Sequence, residues 1–317
     1  MNQKHRILFM GTPDFAVLSL RALVRAGYTL AGVVTQPDRP SGRGQKPGLS
    51  PVKKEALALG LEVYQPVKIK EAEFLNTLTA LQPDLIVTAA YGRILPPAVL
   101  ELPPFGCVNV HASLLPQYRG AAPIHRAVLN GEAVSGVTTM LMNEGLDTGD
   151  ILLKEPVEIT PEMTSGELHD ILAQKGADLL IKTLELWFAR KLEPTPQDDA
   201  QSSYAAPLAR KDERIDWDRT NRQIHNQIRG LEPWPGAFTD YRGKPLKIRE
   251  ARLHPLPEQP VQPGTVVEVV KGAGFAVQTG QGGILVTKVQ PFGKNVMPAD
   301  SFMNGYHLTK GFIFENE

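Results

Sequence analysis

The chain has 317 residues, of which 42% are hydrophobic and 21% are charged, so its composition excludes a disordered protein and allows two domains with cores of their own. Lys plus Arg and Asp plus Glu both number 34, giving a net charge of +0, so a polyanion would have to bind a local patch. The lone Cys107 excludes an intramolecular disulfide, and no apolar run reaches the length of a signal sequence or a membrane span, so we expect a cytoplasmic protein.

The first half of the chain has the pattern of an α/β domain. From Arg6 to about Ile159, short apolar runs such as RILFM and LIVTAA alternate with stretches of helical period such as AVLSLRALVRAG. This alternation predicts βαβ units and a Rossmann-like parallel sheet. A long helix with Ser165 as its N-cap would close this domain, which we place at residues 1–190.

The composition changes after Lys191. Residues 191–208 are rich in Pro, Gln, Asp and Ser without an apolar period, which predicts a linker. Beyond it, a short helix and alternating strands with glycine-containing turns predict a smaller OB-like antiparallel β-barrel at residues 209–317.

The first βα turn, GTPDF, carries Gly11 but lacks the other two glycines of a dinucleotide fingerprint, so it does not favour NAD binding. Ligands of open parallel sheets lie beyond the carboxyl ends of the strands. Thr12, Pro13 and Phe15 are therefore candidates for lining a pocket, although a turn that only starts a helix explains them equally well.

The stretch CVNVHASLLP holds a polar pair at strand spacing. Asn109 and His111 would share one face at the carboxyl end of a central strand. That placement favours catalysis over the usual structural role of a histidine in an apolar run.

A second strand, GVTTMLM, leads into a turn that contains Asp147. A carboxylate at this edge could orient the imidazole of His111, which would then move protons near neutral pH. The alternative is a turn-forming Asx residue. The amide of Asn109 would supply an uncharged donor to an oxyanion.

Asn, His and Asp without a Ser or Cys nucleophile describe acyl transfer in which an amine of the substrate attacks directly. The seven His are scattered and no zinc-binding spacing occurs, so we expect no metal.

The motifs NVHASLLP and LDTGD resemble those of the 10-formyltetrahydrofolate-dependent formyltransferases. MGTPDFA, TQPDRPSGRGQK, QYRGAAPI, RIDW and IRGLEPWPGAF extend the similarity along the whole chain, to the members of that family that act on methionyl initiator tRNA. The resemblance implies transfer of the formyl group of 10-formyltetrahydrofolate to the α-amino group of the esterified methionine, with Asn109, His111 and Asp147 as the catalytic residues.

The resemblance also implies where the formyl folate binds. The loop of Ser113, Leu114, Leu115 and Pro116 would contact the folate, and the segment of Tyr91, Gly92, Arg93, Ile94 and Leu95 would flank the pteridine pocket, largely through backbone groups. The apolar surface at Ile94 and Leu95 suits such a ring.

The tRNA side rests on two basic segments. The Pro- and Gly-rich loop from Gln36 to Lys54 contains Arg39, Arg43 and Lys46, with Arg43 at its tip. It is similar to an insertion that contacts the acceptor-stem end of the tRNA. Phe15 is also predicted to contact the tRNA substrate. Lys247 and Arg249 would share a strand face and form a basic track. From the residues alone, solvated charge explains both segments as well as phosphate contact does. We expect a monomer.

Four alternatives remain. A formyltransferase for glycinamide ribonucleotide or an amino sugar nucleotide would share the Asn, His and Asp, and so would a hydrolase that releases formate from the same folate. A non-enzymatic tRNA-binding protein would explain the basic segments but not the catalytic set.

Overall fold

The computed structural model describes residues 5–41, 46–256 and 261–316. Up to residue 188 the elements are β1 (Arg6–Gly11), α1 (Phe15–Arg25), β2 (Thr29–Val34), β3 (Arg39–Ser41), β4 (Lys46–Gly48), α2 (Pro51–Ala58), β5 (Val63–Tyr64), α3 (Ala72–Leu81), β6 (Leu85–Ala89), α4 (Pro97–Leu100), β7 (Cys107–His111), β8 (Arg119–Gly120), α5 (Pro123–Leu129), β9 (Val134–Leu141), β10 (Ile151–Glu158) and α6 (Ser165–Phe188). They are followed by a 3-10 helix (Asp199–Gln201), β11 (Tyr204–Ala205), α7 (Arg210–Glu213), α8 (Asn221–Gly230), β12 (Phe238–Tyr241), β13 (Lys244–His254), β14 (Val266–Val270), β15 (Gly274–Gln278), β16 (Gly283–Pro291), β17 (Met297–Pro298) and α9 (Ala299–Tyr306).

The chain divides into two compact units. The first contains Met1–Pro123, Val134–Glu158 and His169–Ala205, and the second contains Ile124–Ala133, Ile159–Leu168 and Ala206–Glu317.

A seven-stranded sheet of order β10-β9-β7-β6-β1-β2-β5 forms the first unit. Strands β1, β2, β5, β6 and β7 run parallel. The apolar side chains of β1, β6 and β7 are buried, as expected when helices cover both faces, whereas those of β5, at the sheet edge, are half-buried. The prediction of a Rossmann-like sheet is confirmed. One strand departs from the expected parallel arrangement, because β9 lies antiparallel to both of its neighbours, β7 and β10.

Helix starts in this chain follow local capping. The Asp14 carboxylate accepts from the Phe15 amide at the start of α1, and the Ser50 hydroxyl accepts from the Lys53 amide at the start of α2. The predicted N-cap of α6 is wrong by one residue. Thr164, not Ser165, exchanges hydrogen bonds with Glu167, because a reciprocal capping box needs a three-residue spacing.

The segment predicted as a linker is folded along the first unit. Thr195 pairs with Ile151 through two backbone hydrogen bonds, and β11 runs parallel to β8. Its Pro- and Gln-rich composition lacks periodicity because most of these contacts use backbone groups, which any residue supplies.

The second unit contains an antiparallel sheet of order β12-β13-β16-β15-β14, with β17 on β16. Its core is mostly aliphatic but includes Trp217, Phe275, Phe302 and Phe314, which are fully buried or nearly so; Trp217 stacks on Phe314. The prediction of a smaller antiparallel β domain after the α/β domain is confirmed. Over the parts of the chain that the structure describes, no helix has the length and apolarity to cross a bilayer.

Candidate active site

The carboxyl ends of the parallel strands bring three loops together at one edge of the first sheet. The Gln36 side-chain amide, after β2, donates to the Tyr91 carbonyl at 2.9 Å. The Thr12 hydroxyl, after β1, donates to the same carbonyl at 3.3 Å. Polar groups at the ends of β1, β2 and β6 therefore hold each other in place at the edge where open sheets bind ligands.

Asn109 lies on β7 directly opposite Thr88 of β6. The buried Thr88 hydroxyl is 2.7 Å from Asn109 Oδ1, and since Oδ1 can only accept, the hydroxyl donates to it. This contact directs the amide nitrogen the other way, and Nδ2 lies 3.5 Å from Asp147 Oδ1. Thr88 thus determines which end of the amide faces Asp147.

His111, two residues along β7, is 6% exposed. Its Nε2 is 2.9 Å from the Tyr118 carbonyl oxygen, which can only accept, so Nε2 carries the proton. The neutral ring therefore has its lone pair on Nδ1, which lies 3.7 Å from Asp147 Oδ2. The Nδ1–Oδ2 distance exceeds a hydrogen bond. The Tyr118 carbonyl, and not the carboxylate expected from the sequence, therefore orients the ring.

Asp147 adopts a left-handed backbone conformation, with φ of 53°, which Asp tolerates better than most residues. Its Oδ2 accepts a 2.8 Å hydrogen bond from the Gly120 amide. Gly120 itself has φ of 113°, and a Cβ there would come within 2.6 Å of the Tyr204 ring. Only glycine allows β11 to approach this closely while the Gly120 amide faces the carboxylate.

These side chains present an amide N–H donor, an imidazole lone pair and a carboxylate around one point. A donor aimed at developing negative charge and a base for an attacking amine are the groups that addition to a carbonyl requires. Among the residues with defined positions, no group of three or more His, Cys, Asp or Glu side chains could hold a metal ion.

Thr138 on β9 holds the loop of Ser113 to Pro116 in place. The Thr138 hydroxyl donates to the Ser113 carbonyl at 2.7 Å and accepts from the Leu115 amide at 3.1 Å. Ser113 and Leu115 are buried, whereas Leu114 and Pro116 are half-buried. Only Leu114 and Pro116 therefore offer appreciable side-chain surface.

The segment from Tyr91 to Leu95 has a similar division. Tyr91 and Leu95 are buried, and burial raises the pKa of the Tyr91 hydroxyl. Ile94 is 66% exposed, Gly92 is exposed, and the Arg93 guanidinium donates to the Val67 carbonyl at 2.7 Å. Ile94 is the exposed apolar side chain of this segment.

A cavity of about 450 Å³, within the size range of small-molecule sites, is lined in part by the residues that precede Asp147 in the same turn. It is lined by Pro97, Leu100, Glu101, Met142, Asn143, Glu144 and Gly145. Met142 Sδ also lies 3.1 Å from the Thr88 hydroxyl, so the cavity wall continues directly into the contact that orients Asn109.

The residues predicted for tRNA have different surroundings. Arg39 and Lys46 belong to the β3–β4 hairpin, and Arg43 lies outside the described residues. Phe15 is buried, with its ring centroid 5.6 Å from that of His169, so it presents little surface to a ligand.

Lys247 and Arg249 lie on β13 of the second unit, and both are bound to the Glu232–Gly236 segment. Lys247 Nζ donates to the Pro235 carbonyl, and Arg249 donates to Glu232 Oε1 at 2.7 Å. Burial raises the pKa of Glu232 although Arg249 and Lys247 act in the opposite direction. Arg249 is therefore paired with a carboxylate, whereas Lys247 keeps its charge but is held by a carbonyl oxygen.

Sequence reasoning missed Thr88, Tyr118, Gly120 and Gln197, which all contact the catalytic group. Tyr118 and Gly120 act through backbone atoms. The motif QYRGAAPI pointed to their segment but not to their role, since backbone contacts leave no side-chain signature.

Two family profiles match the chain: formyl transferase over residues 5–184, and formyl transferase, C-terminal domain, over residues 207–307. The methionyl-tRNA formyltransferase of Moorella thermoacetica is 56% identical over 308 residues, covering 97% of this chain and 98% of that one. The protein of the same name from Heliobacterium modesticaldum is 51% identical over 316 residues, covering 98% and 99%.

Two solved structures share the fold. HypX from Aquifex aeolicus in complex with tetrahydrofolic acid matches with a TM-score of 0.64 and 17% identity over 99% of this chain, which spans 51% of HypX. An N-formyltransferase from Helicobacter canadensis, with folinic acid and dTDP-3-aminofucose, matches with a TM-score of 0.64 and 21% identity over 90% of this chain and 99% of that one.

The full-length relatives and both family profiles confirm the resemblance found in the motifs. The chain belongs to the formyl transferase family, in its group of methionyl-tRNA formyltransferases.

Proposed function

We propose that this chain transfers the formyl group of 10-formyltetrahydrofolate to the α-amino group of methionyl initiator tRNA, giving N-formylmethionyl-tRNA for translation initiation. The observation that carries the reaction type is the convergence of Asn109 Nδ2, His111 Nδ1 and the Asp147 carboxylate. The acceptor is supported by similarity to methionyl-tRNA formyltransferases along nearly the full length of both chains.

Asn109 stabilises the charge that develops on the formyl oxygen. Its amide N–H is already oriented by Thr88, so little reorganisation is needed when that charge appears. An oxyanion donor of this kind contributes about 10²- to 10³-fold in rate.

His111 accepts a proton from the attacking amine and then gives it to the folate nitrogen, which leaves as its bond to the formyl carbon breaks. Since Nε2–H is bound to the Tyr118 carbonyl, the proton arrives at Nδ1, where the resulting imidazolium faces Asp147 Oδ2 at 3.7 Å. A placed base of this kind contributes about 10²- to 10⁴-fold in rate.

The formyl folate supplies an activated formyl group, and the residues around the cavity fit a flat heterocycle. Pro97, Leu100 and Met142 give apolar walls, while Asn143 and Glu144 give polar groups. Exposed Ile94, half-buried Leu114 and Pro116, and the backbone of residues 91–95 would complete the folate contacts.

The β3–β4 loop, with Arg39, Arg43 and Lys46, would contact the acceptor-stem phosphates, which position a nucleic acid without reading its sequence. Lys247 and Arg249 would contribute through the charge that remains after their internal contacts. We infer that the protein works as a monomer in the cytoplasm.

The test is formyl transfer from 10-formyltetrahydrofolate to methionyl initiator tRNA, with free methionine, an amino sugar nucleotide and a reaction without acceptor run in parallel. We expect transfer to the charged tRNA alone. Transfer to the sugar nucleotide, or formate release without acceptor, would instead identify a sugar formyltransferase or a hydrolase.

A variant separates catalysis from tRNA binding. Asn109→Ala should lose about 10²- to 10³-fold in transfer rate while the Kd for methionyl initiator tRNA is retained. Retained activity would refute the role of Asn109, and tRNA binding without turnover by the wild type would identify a binding protein.

A further inference from the structure

Gln197 lies in the segment predicted as a linker. Its side chain contacts the backbone of the turn that carries Asp147. Its Nε2 lies 2.8 Å from the Asp147 carbonyl oxygen and 2.7 Å from the Gly149 carbonyl oxygen. A carboxamide nitrogen has two N–H donors, and both are used here. One side chain therefore joins two carbonyls of the turn that carries the catalytic carboxylate.

The orientation of Gln197 is fixed from its other end. Its Oε1 accepts from Arg119 Nε at 3.0 Å, and the same guanidinium donates to Asp199 Oδ1 at 2.8 Å. Because a guanidinium can only donate, the oxygen of Gln197 must face Arg119 and the nitrogen must face the turn. Arg119 and Gln197 thus form a directed chain of hydrogen bonds.

Both ends of this series of hydrogen bonds lie beside Asp147. Arg119 precedes Gly120, whose amide holds Asp147 Oδ2, while Gln197 holds the Asp147 carbonyl. The backbone of Asp147 is left-handed, a conformation that a non-glycine residue keeps only when its surroundings favour it. Fixing both the carbonyl and the carboxylate determines where the side chain points.

We propose that Gln197, anchored by Arg119, is a positioning residue for Asp147. The inference rests on the proposed formyl transfer, because it concerns the rate of that reaction. A displacement of about 1 Å in a catalytic group can cost about 10²-fold in rate, so loss of this contact affects turnover more than substrate binding.

Gln197→Glu is the decisive variant. The carboxylate keeps the size of the side chain and its attraction to Arg119, but it cannot donate and it repels both carbonyls. We expect kcat to fall by roughly 10- to 100-fold, while the KM values for folate and tRNA change by less than about threefold. The matched control is Gln201→Ala, because the Gln201 amide is exposed and bonds to Asp198; it should leave kcat unchanged.

A second measurement distinguishes positioning from a general structural effect. In an Asp147→Asn background, followed by single turnover with enzyme in excess, Gln197→Glu should cost less than about twofold, since residues that act as a unit are not additive. An equal loss in both backgrounds, a loss confined to KM, or a kcat equal to that of the wild type would overturn the proposal. A wild type without transfer would count against the proposed function instead.

Discussion

Thr88→Val should weaken formyl transfer without removing any group that touches substrate. Valine keeps the shape of threonine but cannot donate to Asn109 Oδ1, which receives a 2.7 Å hydrogen bond from the Thr88 hydroxyl. The Asn109 amide then loses the contact that directs Nδ2 toward the reacting group. The variant therefore tests whether orientation of this amide matters to the rate.

The size of the effect follows from the contact that is lost. A net hydrogen bond is worth about 0.5–1.5 kcal/mol, and 1.36 kcal/mol corresponds to tenfold in rate, so kcat should fall by roughly 2- to 13-fold. Asn109→Ala, which removes the donor itself, should cost about 10²- to 10³-fold. Because Asn109 Oδ1 loses its donor at a half-buried position, unfolding should also become easier by about 0.5–1.5 kcal/mol.

The assay is steady-state transfer to methionyl initiator tRNA, measured together with Tm. Thr183→Val is the matched control, because it also removes a buried hydroxyl from the first unit, where Thr183 donates to the Leu179 carbonyl at 2.7 Å. It should lower Tm and leave kcat intact. Wild-type kcat in Thr88→Val, or an equal loss of kcat in Thr183→Val, would refute the orienting role of Thr88.

Three further predictions concern charged groups. Burial raises the pKa of Glu232 above its usual 4.5. The folded state therefore binds that proton more tightly, and stability falls as pH rises through the folded pKa. Arg249→Met should raise this pKa further and lower Tm more at about pH 8 than at about pH 5. The Lys53 ammonium and the Gln65 amide lower the pKa of Asp38 below its usual 3.8, so the Tm loss in Lys53→Met should be present near pH 7 and shrink as pH falls through that value. Arg43→Ala should raise the KM for tRNA but not the KM for folate. It should also reduce the slope of log tRNA affinity against log salt concentration by about one.

Each of these has a control or a contrary result. Arg252→Met removes an exposed guanidinium of the same strand, 3.8 Å from Glu250, and should show little change of Tm with pH. Lys54→Met removes an exposed ammonium next to Lys53 and should leave Tm unchanged. Equal losses at both pH values would contradict the assignments to Glu232 or Asp38, and equal effects of Arg43→Ala on both substrates would remove Arg43 from the tRNA site.

Much of the first unit could be predicted because its signals are local. Apolar runs that alternate with helical periods determine the sheet and its helices, and the spacing of Asn109 and His111 places them at the end of one strand. The antiparallel course of β9 could not be foreseen, because the sequence of a buried strand carries little information about its direction.

The parts of the site that escaped prediction depend on contacts between distant residues. Gly120 and Asp147 are 27 residues apart and Gln197 and Asp147 are 50 apart. Lys247 and Arg249 read as free charges because their partners in the Glu232–Gly236 segment are brought to them by the fold. A count of charged residues does not show whether a side chain is free to bind a ligand, because that depends on its contacts in the fold.

The segment from Tyr118 to Gly120 gives this site an uneven tolerance to change. Its carbonyl and amide, at Tyr118 and Gly120, hold His111 and Asp147, so a substitution at position 118 keeps these contacts only if the backbone keeps its left-handed conformation, with φ of 60°. Deleting or inserting one residue there would shift the carbonyl and the amide relative to each other and disable base and carboxylate together. An engineer who wants a different formyl acceptor should therefore preserve the length of this segment together with Arg119 and Gly120.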